Sequence, residues 1–176
     1  MKMITENDLK VLFSEEEIQN GIKNLGAKLN EVYGQEELYL ICVLKGSVMF
    51  MVDLSKHLKM PLRMEFIRLS SYGSGFTSTG RVNAVDISLP DLNGKNVLIV
   101  EDIIDTGHTA KFLVDFINHN FKVKRLNFCS LLDKKVKREV EIDADYYCFE
   151  IDDKFLVGYG LDYDGYYRNL PYIGYV

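Results

Sequence analysis

Glu101 and Asp102 stand side by side after the apolar run Asn96–Val100 (NVLIV), and a third carboxylate, Asp105, comes just ahead of Thr106-Gly107-His108-Thr109. A glycine between hydroxyl residues at a helix start offers free backbone N–H groups, hydroxyl donors and the positive end of a helix dipole, which together suit a phosphate. Three carboxylates beside such a cradle repel a bare phosphate, so a polyol or Mg²⁺ has to stand between them. A sugar phosphate meets both demands: ribose hydroxyls donate to Glu101 and Asp102, and the 5′-phosphate sits in the loop beyond. No GxxxxGK is present, and Gly73-Ser74-Gly75-Phe76-Thr77-Ser78 lacks the third glycine of a dinucleotide fingerprint, which excludes the usual ATPase and Rossmann signatures.

Positioning those groups requires a strand before the loop and a helix after it. Ala110, Leu113, Val114 and Ile117 follow at helical spacing, and NVLIV has the length and continuity of a strand buried on both faces. Leu38–Leu44 (LYLICVL) has the same pattern and runs into Lys45-Gly46-Ser47, with a helical stretch expected to about Leu58. Upstream, Ser14-Glu15-Glu16-Glu17 forms a capping box ahead of Ile18, Ile22, Leu25, Leu29 and Val32, with Gly34 as the stop. Further strands are expected from Leu62, over Val82–Ser88 after which Asn93-Gly94 turns, over Lys122–Leu132 and over Asp145–Ile151. Strands alternating with helices predict one α/β domain over residues 1–176 with a mostly parallel central sheet, whose ligands collect at the carboxyl ends of its strands. The Ser70–Gly80 stretch, polar and glycine-rich yet carrying Tyr72 and Phe76, suggests a mobile lid.

The chain has 176 residues and a formal charge of −5, which argues against a duplex-binding surface. No apolar run approaches the roughly 18 residues of a membrane span, and Met1–Asp8 turns acidic before a signal-peptide core begins, so a cytoplasmic location is expected. Cys42, Cys129 and Cys148 are odd in number and far apart, which fits buried free thiols; the three histidines lack zinc-site spacing. Taken alone, the basic run Lys134, Lys135, Lys137 and Arg138 has the look of a solvated turn.

Val97–Ala110 (VLIVEDIIDTGHTA) resembles the phosphoribosyl-pyrophosphate motif of the type I phosphoribosyltransferases. Leu44-Lys45-Gly46-Ser47 is similar to that family's pyrophosphate loop, Ser70-Ser71-Tyr72-Gly73 to its mobile loop, Ser130–Lys134 to its purine-lysine segment and Asp153–Tyr163 to its purine-stacking segment. In order along about Leu38 to Arg168, they resemble the hypoxanthine-guanine branch of the family.

The resemblance implies the type I phosphoribosyltransferase fold, with helices flanking the sheet and a small hood, and transfer of ribose 5-phosphate from phosphoribosyl pyrophosphate to N9 of a 6-oxopurine with Mg²⁺. By carry-over, Asp105 contacts purine N7 and moves its proton, while Glu101, Asp102, Thr106, Gly107, His108 and Thr109 complete the ribose and 5′-phosphate site. His108 stands where relatives vary and is given no catalytic role. Lys45, Gly46 and Arg168 meet pyrophosphate, Lys134 the 6-oxo group, Phe155 and Leu156 the base, Ser71 and Tyr72 form the mobile loop, and Glu101, Asp102 and Asp162 serve the metal. Relatives carry a cis Leu44-Lys45 peptide and form dimers and tetramers; Tyr166, Tyr167, Tyr172 and Tyr175 are expected to be packing residues. The rival from another class is a regulatory protein of this fold acting on RNA or DNA, which would be expected to lose the purine lysine or the loop acid; Lys134 and Asp105 are both present.

Overall fold

The computed structural model describes residues 8–71 and 82–175. Ser14 opens α1 (Glu15–Tyr33) through a reciprocal capping box: Glu17 N–H donates to Ser14 Oγ at 3.3 Å and Ser14 N–H to Glu17 Oε2 at 2.8 Å. Gly34 ends the helix at φ 59°, and its N–H closes the last turn on Asn30 O. Ile18, Ile22, Leu25, Leu29 and Tyr33 form the buried stripe.

The main sheet comprises β2 (Leu38–Leu44), β3 (Leu62–Ser71), β4 (Val82–Asp86), β5 (Asn96–Ile104), β6 (Arg125–Asp133) and β7 (Tyr146–Glu150). Its order is β4-β3-β2-β5-β6-β7, parallel throughout except for the antiparallel edge strand β4. Helix α2 (Val48–Ser55) follows β2, and α3 (His108–Asn120) follows β5. Strand alternation divides the core. Leu38, Leu40, Cys42, Leu98 and Val100 pack with α1 and α2, whereas Tyr39, Ile41, Val43, Val97 and Ile99 pack with α3. Burial on both faces is what made these segments continuous apolar runs, and truncating one such leucine to alanine costs about 2–5 kcal/mol.

A second sheet, absent from the strands expected above, caps one end in the order β1 (Lys10–Phe13), β9 (Ile173–Tyr175), β8 (Leu156–Val157), all antiparallel. This is the small hood. Several bounds also shift. Strand β5 continues through Ile104 instead of ending at Val100, α2 stops at Ser55, and β6 starts at Arg125. Glu101 and Asp102 are therefore strand residues and not loop residues, because the pairing with β6 continues past them: Glu101 lies opposite Ser130 and Ile104 opposite Asp133. Cys42 and Cys129 are buried free thiols and Cys148 is half-buried. Residues 72–81, most of the expected lid and Tyr72 with it, lie outside the described residues; Ser71 is the last residue of β3.

Candidate active site

The chain crosses from β2 to β3 on one side and from β5 to β6 on the other, so β2 and β5 lie at the point where the strand order reverses. Loops leaving the carboxyl ends of two such strands diverge and leave a crevice, the common ligand position in open α/β sheets. The Lys45-Gly46 loop leaves β2 there, and Asp105–Gly107 leaves β5.

Gly107 is the N-cap of α3 at φ 90° and supplies no side-chain cap, which leaves the backbone N–H groups of the first turn facing outward. The left-handed turn is walled from behind, since a Cβ on Gly107 would press on Arg138, Val140 and Ile142. Glu139 N–H donates to Thr106 O at 2.9 Å, His108 Nε2 pairs with Glu139 Oε2 at 2.8 Å, and Arg138 is fixed by Asp133 and by Ile142 O. A cavity of about 100 Å³ opens here, lined by Glu101, Ile103, Asp105, Thr106, Gly107 and Thr109 among others. Its size and its helix-end donors suit a phosphate. Asp105 is not a cap: Lys134 lies 3.8 Å from its Oδ2, and its Oδ1 is buried with no hydrogen-bond partner.

Glu101 and Asp102 are both buried deeply enough to be held above the ordinary carboxylate range. Burial is the main cause for each, and the neighbouring Asp102 pushes Glu101 further. Glu101 lines the phosphate cavity, whereas Asp102 lies against the other loop, where a Cβ on Gly46 would fall inside its carboxylate. The Leu44-Lys45 peptide is cis, as the family resemblance implied.

The hood closes onto that same loop. Gly160, at φ 97°, sets its Cα so close to Gly46 O that any side chain would overlap the carbonyl. Arg168 donates to Gly160 O at 2.5 Å and pairs with Asp162 Oδ1 at 2.6 Å, while Asp162 Oδ2 accepts from Gly165 N–H at 2.7 Å. Gly46, Asp102, Gly160, Asp162 and Arg168 thus form one connected group. Gly46 was expected for close approach to pyrophosphate; the close approach seen is to Asp102 and Gly160.

On the other side of Asp105, the basic run is not a solvated turn. Lys134 is only 6% exposed, held by Asp153 at 3.2 Å and by Asp105, and its backbone N–H extends the β5–β6 ladder by donating to Ile104 O. Lys135 pairs with Glu150 and Lys137 with Asp153, both from beyond the turn, while Arg138 pairs with the nearby Asp133, so every member has an acidic partner. Phe155 is 49% exposed, and its ring makes a T-shaped contact with Tyr163, centroids 5.7 Å apart. Leu156 is buried in β8, with its backbone paired to Tyr175 of β9. Tyr166, expected to pack, is 61% exposed.

Sequence reasoning missed three supports: Asp153, Gly160 and the Arg138–Ile142 wall. The first two lay within the quoted Asp153–Tyr163 segment, where an acid two residues before Phe155 and a glycine beside Tyr159 were the available signals.

The geometry agrees with what the chain is similar to. The model of the phosphoribosyl transferase domain matches residues 12–164. The hypoxanthine-guanine phosphoribosyltransferase of Streptococcus thermophilus is 42% identical over 172 residues, 98% of this chain and 95% of that protein. The enzyme of the same name from Streptococcus pneumoniae is 47% identical over 170 residues, 96% of this chain and 94% of that one. Among solved structures, a hypoxanthine phosphoribosyltransferase from Staphylococcus aureus superposes with a TM-score of 0.92 at 44% identity, covering 100% of this chain and 96% of that one. A hypoxanthine-guanine phosphoribosyltransferase from Bacillus anthracis gives 0.89 at 44% identity over 95% and 98%. With a phosphate cradle at the sheet's switch point and this match over most of its length, the chain belongs to the phosphoribosyl transferase domain family.

Proposed function

We propose that the chain transfers the 5-phosphoribosyl group from phosphoribosyl pyrophosphate to N9 of hypoxanthine or guanine, giving IMP or GMP and pyrophosphate, a purine-salvage reaction. The observation that carries it is the convergence on Asp105 of a helix-end phosphate cradle on one side and a buried ammonium, Lys134, on the other. That spacing suits a sugar phosphate and a base carbonyl bound across one carboxylate. The names of the relatives support the substrates.

Breaking the bond at C1′ develops positive charge on the ribose ring, and carboxylates fixed before the reaction stabilise it without reorganising. Thr106, Gly107, His108 and Thr109 hold the 5′-phosphate through backbone and hydroxyl donors, and Glu101 and Asp102 accept from ribose hydroxyls. Asp105, with Oδ1 free of any partner, accepts the N7 proton of the incoming base. Lys134 donates to the 6-oxo oxygen, which rewards hypoxanthine and guanine over adenine. Phe155 stacks the ring, Leu156 offers backbone groups to its edge, and Lys45, the Gly46 backbone and Arg168 receive pyrophosphate. By the same resemblance, Ser71 and Tyr72 are assigned to the family's mobile loop.

Mg²⁺ fits this donor set as a partner of substrate. Among the described residues no group of three or more His, Cys, Asp or Glu could hold a metal, whereas Mg²⁺ commonly takes one or two carboxylates and completes its shell with water and phosphate oxygens. Asp162, at the rim beside Arg168, and the Asp102 and Glu101 pair are the residues that would serve it. When bound, the ion neutralises the leaving pyrophosphate.

The proposed setting is the cytoplasm, with no membrane or nucleic-acid partner; no described helix is long and apolar enough to cross a membrane. A homodimer or homotetramer is the assembly proposed; Met49 and Val52 of α2 and Met64 and Phe66 of β3 are exposed apolar side chains that a second copy would cover. The regulatory alternative is not favoured, with a net charge of −5 and both Lys134 and Asp105 in place. Assay of hypoxanthine, guanine, xanthine and adenine with phosphoribosyl pyrophosphate and Mg²⁺ tests the proposal. Nucleotide and pyrophosphate form with hypoxanthine or guanine; no turnover of either base, or equal use of adenine, would overturn it.

A further inference from the structure

Lys134 is caught between two acids. Its Nζ lies 3.2 Å from Asp153 Oδ1 and 3.8 Å from Asp105 Oδ2, and the same Asp153 oxygen is 3.0 Å from Lys137 Nζ. The three differ in exposure: the Lys134 side chain is 7% exposed, Asp153 53% and Lys137 46%. An ammonium on a four-carbon stem swings readily and goes where the nearest negative charge draws it. With Asp105 as its sole counter-charge it would settle on that carboxylate and occupy the acceptor meant for the base.

We infer that Asp153, held in turn by Lys137, is a positioning residue for base selection: it draws the Lys134 ammonium off Asp105 and aims it at the purine carbonyl. Three observations support the assignment. Asp153 leads into Phe155, so one short segment carries both the lysine's anchor and the exposed aromatic ring. That segment is tied to the end of β6, where Ile151 N–H donates to Asp133 O at 3.0 Å, and Lys134 is the next residue. Asp153 shares one carboxylate oxygen between Lys137 and Lys134, so the buried ammonium makes one hydrogen bond to it and a looser contact to Asp105, and its three donors leave one for the substrate. Hydrogen bonds from Lys137 and Lys134 hold the Asp153 carboxyl below the usual range, so it stays charged throughout the neutral region.

The inference rests on the reading that Lys134 meets the 6-oxo group, and the test separates the two. Asp153→Asn in the full chain should raise KM for hypoxanthine and guanine about 5–10-fold, the scale of one ordinary hydrogen bond, with KM for phosphoribosyl pyrophosphate within about 2-fold of the parent. Asp153→Glu should recover most of the loss. Made on top of Lys134→Gln, Asp153→Asn should add nothing, since its effect runs through the ammonium. Wild-type base KM in Asp153→Asn, a loss that simply adds to that of Lys134→Gln, or an equal change in both substrates' KM would each overturn the assignment. If instead Lys134→Gln itself leaves base KM and selectivity unchanged, the reading of Lys134 fails and the inference with it. Damage from Lys134→Gln with none from Asp153→Asn removes Asp153 alone.

Discussion

The two halves of the site are built by different means. The ribose-phosphate half is made of strand ends, a helix start and glycines: Glu101 and Asp102 sit in β5, Gly107 caps α3, and Gly46 is locked between Asp102 and Gly160. The purine half is made of long side chains and ion pairs, with Lys134 shared by two acids and Phe155 half-exposed. Backbone cradles hold their shape because the whole fold specifies them, whereas a lysine between carboxylates moves when one partner changes. On the proposed assignment, sugar-phosphate recognition is therefore a property of the fold, and base choice a property of a few replaceable side chains.

Four substitutions break or sharpen that contrast. Gly160→Ala strikes the rigid half hardest, since it puts a side chain into Gly46 O at a φ of 97°. A stability loss of about 3 kcal/mol or more is expected in urea unfolding, from backbone strain plus overlap; a parent-like midpoint would mean the hood and loop separate easily. Asp105→Asn, at the junction of the halves, should slow the chemical step on the order of 10²-fold or more with phosphoribosyl pyrophosphate affinity little changed. Single-turnover kinetics decides it, and near-normal turnover would leave the mechanism without its base. In the adaptable half, Lys134→Gln should weaken use of hypoxanthine and guanine by roughly 1.5–3 kcal/mol and narrow the discrimination against adenine. Lys135→Gln, whose partner is the outlying Glu150, is the control; similar selectivity ratios in the two variants would shift base choice to Phe155 and Leu156. Glu101→Gln should act in two directions, because a buried carboxylate next to Asp102 is costly in the free protein. Thermal unfolding should move up by about 2–4 °C, corresponding to roughly 1 kcal/mol, while KM for phosphoribosyl pyrophosphate rises. A lowered midpoint would show that Glu101 supports the fold.

What the sequence disclosed depended on how local each cause was. The capping box at Ser14, the apolar runs of β2 and β5 and the glycine at the start of α3 state their structure within a few neighbouring residues, and the strand–loop–helix frame of the proposed phosphate site was legible for that reason. The hood strands were not. Lys10–Phe13 pairs with Ile173–Tyr175 across nearly the whole chain, and Leu156–Val157 is too short to show a period. Lys134 misled for the same reason. A run of four basic residues within five positions reads as solvent-facing until Asp105, Asp153 and Glu150 are brought to it from elsewhere in the chain. Only the family resemblance, which carries long-range information in motif form, pointed to its role.

The overlap of Gly160 with the Gly46 carbonyl also limits how this scaffold can be recombined. A hood transplanted from a relative arrives with its own backbone path at that contact, and the loop after β2 has no room to adapt by side-chain movement because neither glycine has a side chain to move. Chimeras that exchange Gly158–Arg168 together with Lys45–Ser47 keep both surfaces matched, whereas exchange of either piece alone sets two main chains against each other. For anyone re-engineering the pyrophosphate end, the unit of inheritance is a pair of segments more than 100 positions apart.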